Sequence, residues 1–495
     1  MDYGLLLRSL SPELVLTLAA LVTLTLDLTV MKGAPRIYRC TVAAGLLAVG
    51  VLGAVICLHM VVGPVAFDDG MFIHNPLNLF VKKGILIVAL MTGLLATEVR
   101  FTRDVGEYYA LIILSTIGML LLVSTENLLM LFIGLELTSL CLYVLAAYDE
   151  RSRSSAEAGM KYFLFGGMSA AFLLFGISYI YGLTGTLELG LVAEAMGAAG
   201  GDPLMNVALI MVVIGFGFKL AAVPFHFWAP DVYQAAPVSS AMFIGSASKI
   251  ASVFAFAKVL LVGFESWAWG QGGESVVIGW APMLVLMAVL SMVFGNLAAL
   301  AQTSVRRLIA YSAIAHAGYL LIGMLAEPTD AYRSLIYYVI TYALTTVGLF
   351  GVIAAVQGKG DDLQLQDLAG LSKKSPLLAI SLFVFVLSLA GIPPLAGFFG
   401  KFYLFAAALK SDPDSLQLLA VVIIGIAMSA VSLYYYLQLL KQAFVMPATG
   451  TVLRIKVGFI GQWVVAMLAL SVLFFGCFPD VMLDRLTAAI VRVTW

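Results

Sequence analysis

Charge is what this sequence has least of. Asp, Glu, Lys and Arg make up 11% of its 495 residues, whereas 62% are hydrophobic and mean hydropathy is +1.04. That composition excludes a soluble domain of this length and defines a polytopic membrane protein. No basic excess exists either: net charge is −1, so nothing here is built to hold nucleic acid. Cysteine is rare, and Cys40, Cys57, Cys141 and Cys477 stand singly in or beside apolar runs. With no CxxC pair, neither an iron–sulfur cluster nor a disulfide framework has support. Four scattered histidines offer no HExxH and no bis-histidine helix for haem. The N-terminal stretch lacks a basic leader and a small-residue cleavage site, so it reads as a first span.

Apolar runs of about 17 to 25 residues predict an all-α protein with about 14 transmembrane helices. They lie near 12–30, 40–63, 77–96, 107–123, 127–148, 156–183, 204–223, 238–262, 275–300, 308–326, 334–356, 376–409, 416–440 and 457–478. An even number places both ends on one side. Loops after odd-numbered spans hold fifteen basic residues: Lys32, Arg36, Arg39, Arg100, Arg103, Arg151, Arg153, Arg306, Arg307, Lys359, Lys373, Lys374, Lys441, Arg454 and Lys456. The termini and the other loops hold five, and are instead acidic at Asp68, Asp69, Glu188, Glu194, Asp202, Glu265 and Glu274. By the positive-inside rule both termini face away from the cytoplasm.

Two stretches break the apolar pattern. In 204–237, Lys219 interrupts a membrane helix, and Pro224, Pro230 and Pro237 follow. Some 180 residues on, LFVFVLSLAGIPPLAGFFGKFYLF joins prolines, glycines and Lys401. A lysine at membrane depth needs a partner, a water cavity or a neutral state. Broken backbone at that depth is tolerated only against protein or water. Paired broken helices point to two inverted five-helix repeats around a midplane path. The expected units are 1–105, a three-helix segment; 106–265 and 274–446, the repeats; and 447–495, a C-terminal helix.

Glu136 is the carboxylate placed well inside a span, and with Lys219 it makes a natural switch, because moving the acid loads or unloads the lysine. Lys249 lies one helix later among small residues, His316 can accept and donate between the units, and Lys401 would be the terminal site. Each also has a structural reading: an ion pair for Glu136 and Lys219, a contact for Lys249, a packing hydrogen bond for His316. Lys161 is ambiguous, about one turn inside its helix. Lys82, Lys83 and Lys258 read as snorkelling near interfaces. His226 and Tyr434, Tyr435 and Tyr436 read as packing or interfacial residues.

The segments GLELTSLCLYVLAAY (134–148), EAGMKYFLFG (157–166), FHFWAPDVYQAAP (225–237), AYSAIAHAGY (310–319) and GIPPLAGFFGKFYLF (391–405) resemble the antiporter-like subunits of proton-pumping NADH–quinone oxidoreductase, respiratory complex I. The resemblance spans about residues 70–445 and is nearest the N type, counterpart of mitochondrial subunit 2. It implies a translocase subunit in a bacterial inner membrane, with a proton path through Glu136, Lys219, Lys249, Lys401, His316 and, as an N-type lysine, Lys161. It implies no cofactor or metal in this chain: NAD, FMN, iron–sulfur clusters and quinone belong to partner subunits. The partners implied are the other membrane subunits, neighbouring antiporter-like ones among them, and the lipid bilayer. Open alternatives are a subunit of a multi-subunit Na+/H+ antiporter, a related assembly such as a membrane-bound hydrogenase, and a non-conducting scaffold.

Overall fold

The computed structural model describes residues 3–60, 63–67, 69–99, 102, 104–199, 203–269, 279–357, 362–447, 455 and 457–492. Of the loop charges that set the sidedness, Asp68, Arg100, Arg103, Asp202, Glu274, Lys359, Arg454 and Lys456 lie outside the described residues.

The chain opens with α1 (Tyr3–Ser9), α2 (Ser11–Leu28) and α3 (Arg36–Cys57), a short hairpin of β1 (Val65–Phe67) and β2 (Phe72–His74), and α4 (Pro76–Ala96). The first repeat comprises α5 (Val105–Val123), α6 (Leu128–Ala146), α7 (Arg153–Thr184), the small α8 (Leu189–Ala199), the broken pair α9 (Pro203–Leu220) and α10 (Trp228–Ala235), and α11 (Val238–Gly245) with α12 (Ala247–Lys258). The second comprises α13 (Trp280–Leu300), α14 (Val305–Gly323), α15 (Pro328–Gln357), the short α16 (Leu371–Lys374), the broken pair α17 (Pro376–Ala390) and α18 (Ala396–Ser411), and α19 (Leu416–Leu440). The helices α20 (Phe459–Cys477) and α21 (Asp480–Val491) follow.

Twelve of the described helices are long and apolar enough to cross a bilayer. Two more members complete the expected fourteen: α14, with Arg306 and Arg307 in its first turn, and the divided α17–α18. The repeats match in detail. In each, the third helix is the longest, 32 residues in α7 and 30 in α15. In each, the first two helices touch backbone to backbone at a glycine. A Cβ on Gly118 would lie 2.7 Å from the Thr138 nitrogen, and one on Gly295 would lie 2.7 Å from the Ala315 nitrogen.

The helical breaks follow the chemistry of their residues. Pro224 has no N–H to donate, α9 stops at Leu220, and Ala221 takes a left-handed φ of 58°. In the second repeat α17 ends on left-handed Gly391, at φ 83°, and Pro393 and Pro394 keep the chain non-helical until Ala396. A third break was not expected. The span 238–262 reads as one helix in sequence, but the chain turns at Ser246, with φ −124° and ψ −78°, three residues before Lys249. This span, Val238–Gly263, is the most completely buried of the twelve, with only Val262 partly exposed.

Candidate functional site

Lys219 lies in the last turn of α9, where the helix stops and its final carbonyls find no further turn. Its Nζ donates to Ser139 Oγ at 2.6 Å and Tyr143 OH at 3.2 Å, both on α6. Glu136, one turn earlier on α6, is 3.8 Å away, an ion pair longer than a direct hydrogen bond. The Glu136 side chain keeps 21% of its surface exposed while Lys219 keeps 7%, so the acid stands at the edge of the protein and the lysine inside it. Beside Lys219 is a cavity of about 10 Å³ lined by Thr138, Ser139, Ser248 and Ser252. That is close to the smallest space that admits a water, and it is rimmed with hydroxyls. Ser248 and Ser252 belong to α12, the helix that also carries Lys249, so the cavity lies between Lys219 and that helix.

Lys249 is buried on α12, and among the described residues no acid forms an ion pair with it. Its Nζ donates to the Ala313 carbonyl at 2.8 Å and lies 5.1 Å from the centre of the Tyr342 ring. The other side of that contact is His316, whose ring centre is 5.0 Å from that of Tyr342. His316 is buried on α14; Nδ1 is 2.5 Å from Tyr338 OH and Nε2 3.2 Å from Tyr436 OH. Tyr319 then stands between His316, at 5.5 Å ring to ring, and Lys401, whose Nζ is 4.8 Å from the Tyr319 ring centre. Lys401, on α18, donates to the Leu389 and Ala390 carbonyls at 2.9 and 3.3 Å and to Ser429 Oγ at 2.8 Å. Lys249, His316 and Lys401 are therefore linked through the Tyr342 and Tyr319 rings, and Lys219, with Glu136 on its outer side, faces the helix that carries Lys249.

Lys161 does not join these residues. Its Nζ meets Glu157 and Asp231, each at 2.7 Å, and Asp231 also binds Arg307 at 2.8 Å. These groups open onto a cavity of about 720 Å³ that Arg151, Arg153, Gln234, Arg306 and Asp362 also line. Lys161 thus belongs to a charged vestibule that joins the first repeat to α14 of the second. His226 is a packing residue as expected, buried with its ring 4.5 Å from Phe227 and 4.7 Å from Phe294.

Three readings of single residues change. Lys82 does not snorkel: it is buried and bound to Glu13 at 2.7 Å, because the start of α2 brings a carboxylate to it. Lys258 does not snorkel either. It is buried with Glu126 at 3.7 Å and donates to the Val123 and Thr125 carbonyls at 3.0 and 3.2 Å. Tyr435 and Tyr436 are more than packing: Tyr435 donates to Asn296 Oδ1 at 2.9 Å, and Tyr436 reaches His316 and Ser312. Sequence reasoning missed Ser139, Asp231, Asn296, Tyr319 and Ser429. Only Asn296, a polar amide in the apolar run of α13, carried a local signal. Among the described residues, no three His, Cys, Asp or Glu side chains converge as a metal site.

Twelve membrane-length helices among the described residues, two broken helices and buried lysines beside the breaks define a membrane protein of the antiporter-like class. The family described as NADH:quinone oxidoreductase/Mrp antiporter, TM matches residues 125–427, and the chain belongs to it. A relative from Acidobacterium capsulatum, named NADH-quinone oxidoreductase subunit N 2, is 46% identical over 97% of this chain and 98% of its own. One from Rhodospirillum rubrum, named NADH-quinone oxidoreductase subunit N, is 37% identical over 99% and 98%. Among solved structures, a chain of respiratory complex I from Thermus thermophilus with bound aureothin superposes with a TM-score of 0.78 at 33% identity, covering 97% of this chain and all of that one. A chain of the Mrp complex from Dietzia shares the fold, with a TM-score of 0.80 at 22% identity over 98% and 97%.

Proposed function

We propose that this chain is the N-type proton-translocating subunit of an NADH–quinone oxidoreductase in a bacterial inner membrane. It moves protons while other subunits carry out the redox chemistry with NAD, FMN, iron–sulfur clusters and quinone. The observation that carries this reading is the buried set Lys219, Lys249, His316 and Lys401. Three lysine amines are held inside the helix bundle by hydroxyls, ring faces and backbone carbonyls, and among the described residues only the first has a carboxylate in its ion-pair range. Such groups are expensive to keep there, and where they occur they mark proton and ion pathways. Glu136 loads Lys219, the small hydroxyl-lined cavity leads to Lys249, and His316 passes the proton toward Lys401. Lys161 acts at the vestibule, where the basic loops place the cytoplasmic side. With this reading go both termini on the non-cytoplasmic face, the repeat boundaries 106–265 and 274–446, the flanking units 1–105 and 447–495, and neighbouring membrane subunits as partners.

The test is NADH-driven proton uptake in membrane vesicles carrying Lys219→Ala, with assembly of the complex followed on native gels. Pumping and coupled quinone reduction should fall at least tenfold in a complex that assembles normally. An assembled Lys219→Ala complex that pumps at the wild-type rate would leave only a scaffold role for this set.

A further inference from the structure

The row between His316 and Lys401 has an interruption of a particular kind. Starting at His316 Nε2, the hydrogen-bonded side chains run to Tyr436, whose hydroxyl contacts Ser312 and whose ring centre lies 4.5 Å from that of Tyr435. Tyr435 donates to Asn296 Oδ1 at 2.9 Å, and Asn296 Nδ2 donates to Tyr319 OH at 3.3 Å. Lys401 Nζ lies 4.8 Å from the Tyr319 ring centre and donates to Ser429 Oγ at 2.8 Å. Hydroxyl, imidazole and amine groups each take up one proton and release another, but a primary amide does neither under ordinary conditions. Asn296 is fully buried. Its orientation is fixed as well: Nδ2 also bonds the Met292 carbonyl at 2.7 Å, an oxygen that can only accept. The amide therefore presents its oxygen to the His316 side and its N–H to the Lys401 side, and no proton can hop through it.

We propose that Asn296 is the gate between His316 and Lys401, a non-titrating amide that holds two tyrosine hydroxyls apart and lets a proton cross only when a water replaces it between them. The net step is transfer of one proton from the His316 imidazolium to the neutral Lys401 amine, with the water returned unchanged. In the resting geometry the gate is shut, and Lys401 cannot return its proton to His316 while it releases it elsewhere. The inference rests on the proton-path reading above.

Two nearly isosteric substitutions separate gate from packing residue, both examined in the whole complex in vesicles. Asn296→Asp puts an acid that can relay protons in the same place. NADH oxidation should continue while the proton gradient falls at least twofold, and passive proton leak through the resting complex should rise. Asn296→Leu puts a permanent plug there, and coupled turnover should fall about as far as in Lys401→Ala, with no added leak. A merely structural amide would not move the leak in one direction and the turnover in the other. An Asp variant that holds the wild-type gradient, or that fails to assemble, overturns the assignment. If Lys219→Ala and Lys401→Ala abolish pumping while Asn296→Asp holds the gradient, the gate alone is wrong. If the lysine variants also pump normally, the path itself is wrong.

Discussion

Replacing Lys82 with Met should loosen the N-terminal helices by an amount that can be worked out beforehand. Lys82 holds Glu13 at 2.7 Å with both side chains buried, and the second oxygen of Glu13 has no hydrogen-bond partner. Removing the ammonium strands a carboxylate in an apolar setting, a change that costs about 3–5 kcal/mol. At about 1.4 kcal/mol per decade, α2 should then detach roughly 10²–10⁴ times more often. Cys40 reports this, because it is buried in α3 beside the Asp27–Arg39 ion pair that ties α3 to α2. Its alkylation in intact membranes follows the open population, and the exposed Cys477 serves as an internal standard. The double variant Glu13→Leu/Lys82→Met has no stranded charge and should return to within about tenfold of wild type. Unchanged Cys40 labelling in Lys82→Met, or a double variant as fast as the single, would refute the reasoning.

Two further outcomes follow from the outer loops and the second broken helix. Burial first, and then Asp69, Glu126 and Glu194, push the Glu188 carboxyl above the usual glutamate range. A raised value means that its contribution to local stability is present at low pH and is lost as pH rises through that value. Amide exchange at Leu128 and Leu189, whose N–H groups bond Leu187 and Glu126, should therefore speed up with pH beyond the intrinsic rate; Glu188→Gln should flatten the excess. At Gly397 an added Cβ would lie 1.8 Å from the Ser388 carbonyl oxygen. Gly397→Ala should then cut the assembled complex at least tenfold by immunoblot, and Gly397→Ser should not rescue it.

Much of this architecture was legible from one sequence because membrane helices announce themselves by length and apolarity, and proline marks the two long breaks. Lys219, Lys249, His316 and Lys401 stood out because charge is rare in such runs. What the sequence hid depends on which helix ends meet. Glu13 is 69 residues from Lys82, and Tyr436 is 120 from His316, so neither pairing has a local signature. The break at Ser246 carries no proline, and nothing in its composition separates it from a continuous helix. Lys161 shows the opposite limit: its place in the helix was readable, but the Asp231 that draws it into the vestibule came from another element.

Three of the buried cations share one kind of partner, the carbonyls at a helix C-terminus. Lys401 points at the last carbonyls of α17, Lys258 at the last carbonyl of α5, and Arg306 at the Tyr233 and Ala236 carbonyls at the end of α10. Each sits where aligned peptide dipoles leave about half a negative charge. That counter-charge belongs to the backbone, so acid cannot neutralise it and salt cannot reach it. It can be withdrawn only by moving or rewinding a helix end. Divided helices therefore give this protein a mechanical grip on its charges: a small displacement of a half-helix changes the field at a lysine without any second acid having to titrate.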